Sequence, residues 1–262
     1  MRAALPIVLA SVLAGAAVAR GEPIAGTGDA PRLIDRPLTL GAGQLEARLA
    51  LELPAGGGER PVSIAPDAWI GVTDRLTVGV IHSDAALDQV ATGASLCLRG
   101  GKPLTCDHVY RGGGLDAVWR GLDGPVQIAP RARFVIRDVD PWKPAATLGA
   151  LVRWTRGAFA IYGDPYLRIG LANTDLGNRS ALVVPIWLAV QPAERAVLAL
   201  HTGWTSDLAV IRDGWHVPVA LDVTARASAR LDVGLEAGFA SLLGPQNSVK
   251  NRALTLSVAF RP

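Results

Sequence analysis

The residues most suggestive of chemistry in this 262-residue chain are basic and separated by even numbers of positions. In VQIAPRARFVIRD, Arg131, Arg133 and Arg137 share one parity, while Ala132, Phe134 and Ile136 share the other. A period of two places the sets on opposite faces of a β-strand. A row of guanidinium groups can fork onto carboxylates, attract anions, or set up a field across a confined space. In a soluble sheet the arginine face would meet water and the Phe/Ile face would be core. The surrounding elements decide which environment applies.

A second cluster has the residue types of nucleophilic catalysis. His201 and His216 fall on neighbouring segments, with Ser206, Asp207 and Asp213 between them. A Ser/His/acid set of this kind would suit a lipid or ester hydrolase. The chain has no G-x-S-x-G, no H-E-x-x-H and no glycine-rich phosphate loop, so an enzyme is the alternative reading. Cys97 and Cys106 stand close together in CLRGGKPLTC, and in an exported chain they are expected to form one disulfide closing a tight loop. Only His108 lies near them, which is too few ligands for zinc, so no metal and no cofactor are expected. With 26 basic and 23 acidic residues, nothing calls for a nucleic-acid partner.

The elements that position these residues are strands. Residues 1–19, with Arg2, an apolar run and Ala17-Val18-Ala19, read as a secretory signal peptide, and residues 20–43 as a polar periplasmic N-terminal segment. No later stretch approaches the ~18 uninterrupted apolar residues of a membrane helix. From residue 44 onward the period is two, and twelve segments emerge: 44–53, 62–72, 75–83, 114–121, 125–137, 145–155, 158–171, 181–191, 195–204, 215–227, 230–240 and 252–260. The connections after the second, fourth, sixth, eighth and tenth segments are tight. Those after the odd ones are longer: PAGGGERP, the cysteine loop, DVDPWKP, NTDLGNRS, SDLAVIRDG and SLLGPQNSVKN. Short turns at one end and long loops at the other predict an all-β, single closed antiparallel transmembrane β-barrel over residues 44–262, with about 12 strands and both termini at the short-turn end.

The apolar parity is nearly pure, as a lipid-facing surface requires. The last segment sets Leu254, Leu256, Val258 and Phe260 against Thr255, Ser257 and Ala259. Trp119 and Trp154 fall near the short-turn end and Trp204 and Trp215 near the long-loop end, as interfacial aromatics do. Pro66, Pro130, Pro165, Pro185 and Pro218 lie inside strand segments and predict bulges or kinks, since a closed barrel has no free edge.

With its signal peptide, the opening RPLTLGAGQLEARLALEL and the closing RALTLSVAF, the chain resembles the outer-membrane β-barrel proteins of Gram-negative bacteria. The resemblance spans the whole mature chain and is architectural, and no family motif is matched. It implies outer-membrane lipid and the barrel-assembly machinery as partners, and diffusion of small solutes for many members of this size. A terminal aromatic is usual in that class, and here Arg261-Pro262 follow Phe260.

In such a barrel the polar parity lines the lumen. Arg120, Arg131, Arg133, Arg137, Arg153 and Arg168, with Asp116 and Asp164 among them, form one wall. Asp222, Asp232, Glu236, Glu46, Glu52 and Asp67, with Arg226 and Arg48, form the opposite one. Tyr162 and Tyr166 face inward beside Arg168, as a stacking track or as space fillers. The expectation is a small channel for polar or anionic solutes, and the alternatives are the hydrolase and a structural or adhesion barrel acting through its loops. Inward charges that pair with one another would close the bore instead.

Overall fold

Strand after strand sets apolar residues against polar ones, and no isolated hairpin can bury a surface of that kind. The computed structural model describes residues 32–55, 62–82, 96–99, 109–250 and 252–262. Among them are fourteen strands. They are β1 (Leu45–Pro54), β2 (Val62–Thr73), β3 (Leu76–Ile81), β4 (Leu96–Arg99), β5 (Gly113–Trp119), β6 (Val126–Val139) and β7 (Trp142–Arg156). There follow β8 (Phe159–Gly163), β9 (Tyr166–Gly170), β10 (Ala181–Ala193), β11 (Ala196–Asp207), β12 (Trp215–Ser228), β13 (Leu231–Leu243) and β14 (Arg252–Phe260).

Every neighbour pairs antiparallel, and β1 pairs both β2 and β14, so the sheet closes on itself. The closing seam aligns Leu49 with Val258 and Leu51 with Leu256, lipid-facing residue against lipid-facing residue. Strands β8 and β9 both pair β7 and β10 and act as one stave broken at Asp164-Pro165, while β4 is a short addition on β2. The result is a twelve-stave barrel whose staves match the twelve periodic segments.

The outer face is apolar and exposed: Leu115 is 62%, Leu148 58% and Leu221 65% accessible, with Phe134, Leu188 and Leu235 also exposed. A girdle of this extent is untenable in water and is what hydrocarbon contact selects. Trp119, Trp154 and Phe159 are exposed next to the short turns.

The strand-embedded prolines are accommodated where a ladder is already interrupted. Pro165 splits the β8–β9 stave, and Pro218 lies within the register shift between Val217 and Val219. The other three cause no shift. Pro66 falls between the part of β2 paired with β4 and the part paired with β3, Pro130 lies beyond the last β5–β6 pair, and Pro185 faces the β8–β9 break. Each has a side with no ladder bond to lose.

Two expectations change. DVDPWKP is not a long loop: β6 runs to Val139 and β7 begins at Trp142, the two residues pair, and Asp140-Pro141 makes the turn. Strand-forming Val135, Ile136 and Val139 face Ala145, Pro144 and Trp142 in turn, so the hairpin zips past the expected strand ends. The second change concerns the stretch before β1. Its described part, from Arg32 to Gly43, crosses the short-turn mouth as a strap against the inner wall, with a short 3₁₀ turn at Leu33–Asp35. Residues 1–31, which include the expected signal peptide, lie outside the described residues.

Candidate functional site

The inward parity of the staves meets in a cavity of about 590 Å³. Eight of the fourteen lumen residues expected from sequence line it: Glu46, Glu52, Arg131, Arg153, Tyr162, Asp222, Asp232 and Glu236. Arg48, exposed, borders the same space. The other six are placed around it.

The arginine ladder does not face open water. Arg131 on β6 donates Nε and Nη2 to the two carboxylate oxygens of Asp116 on β5, at 2.8 and 2.7 Å, and Nη1 to Asp164 at 2.8 Å. Arg133 binds Asp164 through Nη2, lies 3.8 Å from Asp116, and rests on the Tyr166 ring with its guanidinium carbon 4.9 Å from the centroid. Trp69 Nε1 completes the Asp116 shell at 2.9 Å. Register explains the assembly: Asp116 sits directly opposite Arg133, and the β8–β9 break turns Asp164 inward beneath both. Two cations and two anions form a neutral, buried quartet. One member alone would be a costly desolvated charge, and pairing offsets that cost. Tyr166, buried under Arg133, therefore acts as packing and not as half of a track with Tyr162.

Toward the long-loop end Arg137 reaches the Gly177 carbonyl and Asn178 Oδ1 at 3.4 and 3.5 Å, and Arg168 is buried nearby on β9. Asp67 accepts from the His82 amide at 2.6 Å, and Arg120 meets Asp123 at 3.7 Å by the short turns.

The other wall is organised by carboxylates. Asp222 and Glu236 are register partners on β12 and β13. Thr224 donates to Asp222 at 3.1 Å, and Glu236 lies 3.1 Å from His201 Nδ1. His201 stacks on Trp187 with ring centroids 4.3 Å apart, and Trp187 is in register with Tyr162. The inward aromatic row is thus Tyr162, Trp187 and His201. Lower down, Arg261 joins Glu46 at 2.8 Å and Asp232 at 2.7 Å, and Arg36 of the strap also binds Asp232. Arg261, which follows Phe260, thereby gains a place and turns into the bore.

The hydrolase arrangement is not assembled. His201 is held by Glu236 and Trp187 five positions from Ser206, roughly 16 Å along a strand. Ser206 Oγ points to the Asp207 and Ile211 carbonyls, and Asp207 binds Arg179 at 3.1 Å.

The strap was the element hidden from the sequence reading. Leu33 and Ile34 pack on Ala160, Ala189, Val197 and Ala199, with Tyr162 and Trp187 beside them. The signal for it was faint: these four lumen-parity residues are small and apolar, but so are Ala129, Val135 and Ala145 on other staves, and it is their clustering on β8, β10 and β11 that makes a seat for the strap. Arg153, also on the expected list, donates to the Arg36 and Asp35 carbonyls of the strap and to Gln127 Oε1 at 2.6 Å.

Solved structures share this architecture. The NanC porin superposes with a TM-score of 0.54 at 9% identity, covering 82% of this chain and 98% of that one. The KdgM porin in complex with disordered oligogalacturonate gives 0.51 at 8% identity, over 82% and 98%. An outer membrane channel from Pseudomonas putida F1 gives 0.52 at 11% identity, over 86% and 97%. The fold is that of the outer-membrane porins. No protein-family model and no curated protein sequence matches the chain. At such identities the likeness concerns the path of the backbone, and the lining of the bore is this chain's own. The disulfide expectation involves Cys106, which lies outside the described residues. Cys97 is buried on β4, where it pairs with Ser63 of β2.

Proposed function

We propose that the protein is an outer-membrane channel for diffusion of small polar or anionic solutes. The observation that carries this reading is the charged cavity of about 590 Å³ inside a closed barrel whose outer face is apolar. A hydrated space lined by both charge signs within a low-dielectric wall suits polar solutes and gives their charge leverage on passage. The channel activity named for the solved structures of the same fold supports it. We propose a channel and not an enzyme, since Ser206 and His201 face different partners.

Because Arg131 and Arg133 are matched by Asp116 and Asp164, charge selectivity falls to the residues around the open space, Arg48, Asp222 and Glu236 foremost. The Cys97–Cys106 disulfide is proposed to tie the long loop to the rim at β4.

The reading is tested by solute entry into proteoliposomes carrying the refolded chain, alongside a full-length variant with a loosened strap, Ile34→Asp with Arg36→Glu. Swelling in small sugars and amino acids is expected for the variant at least. Impermeable vesicles with both proteins, each folded by gel shift, would refute the channel.

A further inference from the structure

We propose that the short-turn mouth of the bore is a built binding site for the chain's own residues 32–40, so that this segment is a displaceable plug regulating the channel.

The wall presents a recognition surface in three parts. An apolar seat of small side chains, Ala160, Ala189, Val197 and Ala199, receives Leu33 and Ile34, the latter 0% exposed. Above the seat the Gln191 side-chain oxygen accepts the Ile34 amide at 3.1 Å, while its nitrogen is anchored on the Glu194 carbonyl at 2.8 Å. Beside it Arg153, 2% exposed, donates to two consecutive strap carbonyls, Asp35 and Arg36. Asp232 then takes the Arg36 guanidinium, and Thr77 Oγ1 takes the Leu40 amide at 2.8 Å on the far wall. The site reads a short peptide by side chain, by backbone donor and acceptor, and by charge.

The plug is also separable from the barrel that holds it. Residues 32–40 form no strand and enter no β-ladder, and the β1–β14 and β1–β2 seams close without them. Within the strap the backbone bonds itself only at the Leu33–Asp35 turn, from the Asp35 amide to the Arg32 carbonyl, and at Gln44 to Gly41. Two side-chain bonds are also internal, Arg32 to Asp35 at 2.6 Å and the Gly41 amide to Gln44 Oε1 at 2.9 Å, and its other polar bonds run to the barrel. The wall groups it covers, Gln191, Arg153 and Asp232, all face the lumen, so water can replace the strap when it leaves. Contacts that are specific, and that the barrel does not need for closure, are the makings of a two-state element.

The conductance arm of the test rests on the channel reading; a binding arm does not. In planar bilayers the full-length Ile34→Asp/Arg36→Glu variant is expected to be open at least about tenfold more than the wild type, since a buried aliphatic contact and an ion pair are lost. A synthetic peptide of residues 31–40, added from the short-turn side, should return the variant to the wild-type level, and the same peptide with the Ile34→Asp change should not. Calorimetry on the folded variant in detergent should show saturable one-to-one binding of the first peptide only. Measurable and equal conductance of wild type and variant, or a peptide that neither binds nor blocks, overturns the plug. If both proteins are silent the channel reading fails, and calorimetry alone decides whether the site exists.

Discussion

Arg133 shows best how one residue's meaning changes between sequence and structure. Its alternation with Phe134 puts the two on opposite faces of β6, Arg133 buried and Phe134 exposed, and that much was legible because a period of two is a local property. Its partners were not legible, because Asp164 is 31 positions away and is turned inward by a proline break in a distant stave. Arg133→Ala would leave Asp164 and Asp116 with excess negative charge in a buried place, and is expected to cost about 3–5 kcal/mol of stability in urea unfolding from detergent micelles. A neutral pair, Arg133→Met with Asp164→Leu, should recover much of that loss, and no recovery would show that the quartet is not the cause. Charges at the open space should behave differently. Asp222→Asn with Glu236→Gln should leave the unfolding midpoint nearly unchanged while shifting the reversal potential under a salt gradient toward anions. An unshifted reversal potential would remove these carboxylates from the filter.

Twelve staves, their order and nearly all their boundaries follow from periodicity and turn residues. The exceptions are elements whose form depends on tertiary partners. The β6–β7 hairpin extended beyond expectation because pairing Val139 with Trp142 outweighs the turn signal of an Asp-Pro-containing stretch. The strap was read as outside the barrel because a segment with no periodicity declares nothing about where it packs. Its receptor was visible only as a set of small apolar residues spread over β8, β10 and β11. Gly71 on β2 belongs to the same story: a Cβ there would overlap the Gly41 carbonyl, so a glycine lets the strap's end lie against the wall. Lipid-facing positions have their own consequence. Leu148→Arg, on the exposed outer face of β7, is expected to cost about 2–4 kcal/mol of insertion stability if it lies near the bilayer midplane. The equivalent change at lumen-facing Thr255 of β14 should cost far less. Equal costs would contradict the assignment of faces.

At the scale of the whole molecule, the barrel, its apolar girdle and its porin-like fold describe a protein that meets lipid outside and water inside. The quartet narrows the bore, the Asp222–Glu236 wall charges the space that remains, and the strap occupies one mouth. A folded barrel of this kind is expected to migrate faster unheated than boiled on detergent gels, and a detergent-free soluble monomer would contradict the fold assignment. The most direct measurement of the central claim is single-channel recording in planar bilayers of the full-length Ile34→Asp/Arg36→Glu protein, verified as folded by gel shift. The account predicts discrete conductance steps whose ion preference responds to Asp222→Asn with Glu236→Gln. A folded protein that inserts and leaves the bilayer at baseline would contradict it.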